Sequence, residues 1–268
     1  MSATPPTRLE QTSVTLGRWL PPALILLALL AGWEVAVRLA ETPRWMLPPP
    51  SAVAASLRDD RDLLLSNGWV TLQEVLLGFG LALLAGVLTG IAIDSSRVLE
   101  RAIYPLIIGS QTIPMVALAP LLLIWFGYGL FPRVLVTALV SFFPIAVNTV
   151  DGLRAADGET LSMLRSFGAS PRQRFRLVKV PAALPQLFTG ARIAIAFSVI
   201  GAVFGELVGA SAGLGYLMER SGAQFQTERV FAAITLLALM AVSLFALVTL
   251  LERLLLPWRR YTTGRGQD

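Results

Sequence analysis

Five basic side chains, Arg165, Arg172, Arg174, Arg176 and Lys179, fall within fifteen residues of the sequence. In that spacing they can bind an acidic partner surface or anionic headgroups, or hold a loop on the cytoplasmic side of a membrane. They are not a catalytic set. The carboxylates that could act as acid and base, Asp151, Asp157 and Glu206, form no obvious pair within an apolar run. The chain has no histidine and no cysteine, which removes imidazole bases, thiolate nucleophiles, disulfides and zinc sites together. Lys179 is the only lysine, and Leu177-Val178 and Val180 surround it where a P-loop needs glycines and a Ser or Thr. HExxH is absent as well, and Gly209-Ala210-Ser211-Ala212-Gly213, which fits GxSxG in letters, has no histidine in the chain to complete a triad. These residue types point to docking, with no catalytic residue, metal or cofactor expected. Any ATP-driven step would need its ATPase on another chain.

The basic cluster sits in a polar island, Asp151 to Leu187, between apolar flanks. Leu153, Leu161, Leu164 and Phe167 fall near helical spacing, which predicts a first helix with one apolar face. Gly168 stands where that helix should stop, because glycine takes the left-handed cap conformation without a Cβ penalty. Ser170-Pro171-Arg172-Gln173 then reads as a capping-box start, with Pro at the first helical position. Pro181 and Pro185 are expected to close the second piece. Arg172, Arg176 and Lys179 share one of its faces, and Phe175 and Val178 another. The island is a compact helical hairpin by this reading.

Around it the chain is membrane-grade. Of 268 residues 55% are hydrophobic and only 15% charged, with a mean hydropathy of +0.68, against roughly a quarter charged in soluble domains. The expected fold is an all-α polytopic membrane protein of six transmembrane helices, near 20–40, 70–93, 102–126, 133–150, 187–209 and 230–256. Residues 1–19 and 257–268 are expected as tails, the first of them disordered, and 151–186 as the loop. The first run is too long for a signal peptide's core and carries Glu34 and Arg38, four residues apart and able to pair. Val53, Leu57 and Leu64 predict a short surface helix before the second span. Gly86 and Gly90, and the repeat Gly201, Gly205, Gly209, Gly213, predict close helix approach. Ser110, Gln111 and Thr112, with Pro114, lie in the middle of the third span, Asn148 in the fourth and Glu206 near the end of the fifth. Polar groups are costly in lipid, so these are candidates to line a pathway.

The tails, the 94–101 turn and the island carry more than twice as many Arg and Lys as the opposite loops, whose cations are Arg44, Arg58, Arg61, Arg133, Arg220 and Arg229. The positive-inside rule then places the island and both termini in the cytoplasm. That rule also accounts for the net charge of +5 and pI of about 10.4 without nucleic acid. Residues 159–180 could be read as the helix-turn-helix of a membrane-tethered regulator, but spans on both sides leave little room to enter a major groove. A membrane enzyme using Asp151, Asp157 or Glu206 is the other alternative, and the lack of His, Cys and paired carboxylates argues against it.

The island resembles the cytoplasmic EAA loop of ABC importer permeases, whose pattern is Glu-Ala-Ala, three residues, Gly, nine residues, then Ile-x-Leu-Pro. Here nine residues separate Gly168 from Val178-Lys179-Val180-Pro181, and Ser162-Met163-Leu164 replaces the triplet. LPPPSAV, TLQEVLLGF, QTIPMVALAPLLLIWFGYG, FFPIAVNTVDG, RSFGAS, VPAALPQLFTGARIA and GELVGASAGLGYL extend the resemblance to the nitrate/sulfonate/taurine-type permeases over nearly the whole chain. That group includes transporters of thiamine-pyrimidine precursors and of riboflavin, toward which QTIP, ALAPL and IGAVFGE lean. The resemblance implies a type I importer permease in a bacterial inner membrane. Its implied partners are two ABC ATPase subunits, an extracytoplasmic solute-binding protein, a second copy of the chain and the lipid bilayer. It implies ATPase coupling through Ser162, Leu164, Arg165, Gly168, Ala169, Arg172, Arg176 and Pro181.

Overall fold

The computed structural model describes residues 8–257, and every regular element among them is helical. Among the described residues, five helical stretches are long and apolar enough to cross a bilayer: Leu20–Leu39, Arg61–Ser95, Leu130–Arg154, Pro171–Leu207 and Thr227–Leu255. The chain divides into two compact units, one running up to Arg61 and including Ser221–Ala232, the other comprising Asp62–Arg220 and the chain from Ala233 onward.

In the first unit, α1 (Arg8–Leu39) is followed by α2 (Pro50–Asp59). Helix α1 starts inside the stretch read above as a disordered tail, while residues 1–7 and 258–268, with the basic end of the C-terminal tail, lie outside the described residues. Glu34 and Arg38 do pair, with Arg38 Nε 2.6 Å from Glu34 Oε1. The same carboxylate accepts the Ser51 backbone N–H at 3.0 Å and its hydroxyl at 2.8 Å. It thereby caps α2, whose N-cap residue Pro49 has no side-chain acceptor of its own. Trp33 packs on Phe231 with ring centroids 5.5 Å apart. Arg229 donates to Asp60 at 2.7 Å and holds that carboxyl below its ordinary range.

The second unit is built on α3 (Arg61–Ser95), α6 (Leu130–Arg154) and α9 (Val180–Leu207). Lipid tails are as apolar as leucine, so such helices associate by close packing of small faces. On α3 the stripe Gly78, Ala82, Gly86, Gly90 does this. A Cβ on Gly86 would lie 2.7 Å from Ile145, and one on Gly90 2.6 Å from Thr149, both on α6. The matched positions rise together, so α3 and α6 run parallel. Helix α9 runs antiparallel to α6, with Gly190 against Pro144 and Asn148, Gly201 against Thr137, and Gly205 against Arg133. Ser141 and Ser198 share a buried hydrogen bond of 2.7 Å between these two helices. Helices α4 (Arg97–Ser110) and α5 (Met115–Phe126) pack onto α6, the first through Ile107, Ala146 and Val150, the second through Ala119, Leu122 and Val136.

Several expected boundaries move. The second span begins at Arg61 rather than Val70, and Leu64, expected on a surface helix, is buried in it at 2% exposure. The third span is two helices, broken at Gln111–Pro114. Pro114 disfavours helix at the residue before it, and the hydroxyls of Ser110 and Thr112 bond the carbonyls of Ile107 and Gly109, ending α4 locally. The fourth span extends to Arg154, and the expected first hairpin helix is therefore split at residues 155–157, after which α7 (Gly158–Ser166) begins. Pro181 and Pro185 do not close the second piece. Helix α8 (Pro171–Arg174) continues through a π-turn, Phe175–Lys179, directly into α9. Pro181 lacks the N–H that Leu177 would receive and its ring crowds that carbonyl; the wider turn, with Val180 N–H reaching Phe175 O, absorbs the fault. Finally, α9 ends at Leu207, so the glycine repeat works as a helix face at Gly201 and Gly205, while Gly209 and Gly213 lie beyond it.

Candidate functional site

Two arrangements occupy opposite ends of the α3–α6–α9 bundle. At one end is the hairpin. Asp157 caps α7, accepting the backbone N–H groups of Thr160 at 2.9 Å and Glu159 at 3.3 Å. The Thr160 hydroxyl, then these amides, hold the Asp157 carboxyl below its ordinary value. At the far end of α7, Gly168 adopts φ +79°. Ala169 N–H reaches Leu164 O, and Gly168 N–H reaches Arg165 O, both at 3.0 Å. This is a Schellman motif, and it is what the isolated glycine before Ser170 predicts. The capping box also forms, with Ser170 N–H 2.7 Å from Gln173 Oε1 and Gln173 N–H 3.3 Å from Ser170 Oγ.

No residue of α7, α8 or the π-turn is buried. Phe167 is 80% exposed and Leu177 65%, beside exposed Ser162, Met163, Arg165, Arg172 and Arg176. Leu164, Ala169 and Pro181 are half-buried. Apolar side chains in a basic rim, with no buried residue among them, form an exposed patch of the kind that marks interaction sites. The base is closed by Gly152, where a Cβ would lie 2.8 Å from Ala183 O. Lys179 is not part of the free basic face. Its Nζ lies 2.8 Å from both carboxylate oxygens of Asp94 at the end of α3. Arg154 reaches Glu100 at 2.7 Å and lies over the Tyr104 ring at 6.0 Å.

At the other end lies a buried polar cluster that includes Glu206, itself fully buried. Helix α10 (Leu214–Ala223) begins there, and its first N–H groups need acceptors. Side chains of α3 and α9 supply them. Asn67 Oδ1 accepts Gly213 N–H at 2.8 Å, Thr71 Oγ1 accepts Leu214 N–H at 2.9 Å, and Glu206 Oε2 accepts Gly215 N–H at 2.6 Å. The Thr71 hydroxyl donates to Glu206 Oε1 at 2.6 Å. Gly213 has φ +121°, and a Cβ there would overlap the Glu206 carboxylate, so no other residue fits. One turn along α3, the fully buried Glu74 is paired with Arg133 of α6. Arg133 Nε also donates to Gly129 O at 2.8 Å.

The remaining polar candidates are not joined to this cluster. Gln111, Thr112 and Pro114 are exposed on the α4–α5 break. Asn148 is half-buried and bonds back to Pro144 O at 2.7 Å, facing Gly190. Among the described residues no group of three or more His, Cys, Asp or Glu is placed to hold a metal ion. Asn67, Thr71, Glu74, Arg133 and Asp94 escape the sequence reading. One signal was available: Glu74 is an ionisable residue inside the second apolar run, and such residues call for a partner.

Residues 82–260 match the family described as binding-protein-dependent transport system inner membrane component. The chain is 40% identical over 242 residues to the formylaminopyrimidine transport permease protein ThiX of Halalkalibacterium halodurans, covering 90% of this chain and 96% of that one. It is 40% identical over 260 residues to the riboflavin transport system permease protein RibX of Chloroflexus aurantiacus, covering 95% and 97%. Its fold is similar to that of a chain in an inward-facing MetNI methionine ABC transporter, with a TM-score of 0.63 and 22% identity over 71% of this chain and 95% of that one.

Proposed function

The chain belongs to the family of binding-protein-dependent transport system inner membrane components, and from that premise we propose how this permease of an ABC importer works. Two ATPase subunits dock on the α7–α8 hairpins of two copies of the chain. The observation that carries this is a capped hairpin with exposed Phe167, Met163 and Leu177 and no core of its own. Ser162, Leu164, Arg165, Gly168, Ala169, Arg172 and Arg176 form or shape the docked surface, and Pro181 fixes where the hairpin joins α9. A solute-binding protein delivers substrate at the end of the bundle away from the hairpin. ATP binding favours one arrangement of the hairpins over the other, and the pathway follows because each state makes different ATPase contacts. ATP hydrolysis belongs to the partner.

The solute is a pyrimidine- or flavin-type vitamin precursor, in preference to a nitrate-, sulfonate- or taurine-like anion. The relatives with 40% identity carry the former in their names. The candidate pathway residues Gln111, Thr112 and Asn148 are uncharged donors and acceptors that suit a heterocycle, with Pro114 shaping the break beside them. Glu206 acts at the pathway's far end by holding α10 in place. A tagged pull-down from mild detergent tests the docking: a stoichiometric P-loop subunit is expected, and its absence after crosslinking through the hairpin would sink the reading. Uptake by the complex with its binding protein in proteoliposomes tests the solute. Formylaminopyrimidine or riboflavin is expected to enter, and uptake of taurine alone would reverse the substrate assignment.

A further inference from the structure

The hairpin has no buried residue, so only half-buried side chains pack it against the rest of the bundle. Its covalent route into α9 passes through the π-turn, where the regular i→i−4 ladder is interrupted. Lys179 is the last residue of that turn, and it is held by both oxygens of Asp94, 85 residues away in sequence. The side chains are 28% and 10% exposed, so the pair is substantially desolvated. It therefore differs in kind from a surface pair such as Arg58–Asp59, with side chains 79% and 62% exposed. Asp94 lies at the end of α3, a single helix of 35 residues whose other end carries Asn67 and Thr71, the acceptors that fix the start of α10.

We propose that the Asp94–Lys179 ion pair is the strut by which movement of the hairpin is passed to α3, and through α3 to the α10 cluster at the opposite end. Asp94 and Lys179 are positioning residues for transport and do not touch solute. The inference rests on the docking of an ATPase on the hairpin, as proposed above. Helix α9 receives the same displacement through the softer π-turn, and the strut makes α3 move with it. Arg154–Glu100, with side chains 43% and 40% exposed, is a weaker second tie to the same region.

The test uses the full chain, alone and in complex with its ATPase, in nanodiscs and proteoliposomes. Lys179 is the only lysine, so an amine-reactive ester followed by peptide mass spectrometry reports on this one side chain. In the isolated chain, Asp94→Asn should raise Lys179 labelling several-fold. In the complex, Asp94→Asn and Lys179→Met should retain the ATPase and its hydrolysis while solute moved per ATP falls about tenfold, within the usual range of coupling energies. The exchange variant Asp94→Lys/Lys179→Asp should restore most of the transport, and it carries the test if a single variant fails to insert. Wild-type transport per ATP in Asp94→Asn overturns the strut. So does a proportional fall of hydrolysis and transport that the exchange variant leaves unrepaired. If the wild-type chain retains no P-loop partner, the docking reading fails and the strut's role with it, while the labelling result still decides whether the ion pair forms.

Discussion

Thr71→Val isolates the α10 cluster. Valine keeps the shape of threonine and removes only the hydroxyl. Besides a 3.2 Å contact to Asn67 O in its own helix, two bonds to other helices go with it: the donation to Glu206 Oε1 at 2.6 Å and the acceptance from Leu214 N–H at 2.9 Å. Both abandoned groups are buried, and one is a carboxylate oxygen. A buried polar group left without its partner costs about 1–3 kcal/mol, more when charged. The expected loss is therefore about 4 kcal/mol, which for a chain of this size lowers Tm by about 8–16 °C. Intrinsic tryptophan fluorescence during heating in mild detergent measures it. Thr249→Val is the control, since its hydroxyl bonds only its own helix at Phe245 O, and it should leave Tm unchanged within about 1 °C. A Thr71→Val protein melting within about 2 °C of wild type would refute the assignment of this hydroxyl as the link between α3, α9 and α10.

Gly168→Val should cost about 1–2 kcal/mol locally, because φ +79° is left-handed backbone. A Cβ there meets nothing, so the effect is conformational and Gly168→Asn should be milder. Membrane insertion should persist while ATPase-coupled transport falls, and equal transport by both variants would contradict this. Gly86→Ala forces a Cβ to within 2.7 Å of Ile145 and should destabilise by about 1–3 kcal/mol in the same melting assay. Gly80→Ala, with open space around its Cβ, should not. The Asp157 cap predicts a pH dependence. Its carboxyl titrates below its ordinary value, so the stabilisation of α7 is present above the unfolded carboxyl's pKa of roughly 4 and is lost as pH falls through the lower folded value. Hydrogen exchange of residues 158–166, corrected for intrinsic rates, should accelerate over that acid window, and Asp157→Asn should flatten the response.

The legible parts of the hairpin are those written in neighbouring residues. Gly168 and the Ser170–Gln173 box are signals three to six residues long, and each forms the bonds its chemistry calls for. The small-residue stripe on α3 was readable too, because its spacing of four is visible without knowing what lies opposite. What escaped depends on partners distant in sequence. Asn67 and Thr71 resemble ordinary polar residues before a span until the turn at Gly213 arrives from 146 and 143 residues away. Lys179 looks like one more cation on a basic face until Asp94 is set beside it. The break at Gln111–Pro114 and the π-turn mislead in opposite directions. Proline next to local hydroxyl bonds ends a helix in the first case, and a widened turn preserves one in the second.

That widened turn makes residue number matter as much as residue type between Gly168 and Pro181. A regular helix completes a turn every 3.6 residues, so one extra residue in Phe175–Lys179 rotates what precedes it by about 100° relative to α9. Deleting one residue there would close the wide turn and set the Pro181 ring against a carbonyl of a regular helix. It would also turn Arg172 and Phe167 toward a different quarter and draw Lys179 out of register with Asp94. Val178 stands inside the turn and Val180 at the start of α9. The length of the interval, together with the glycine and proline that bound it, sets the direction in which the hairpin presents itself.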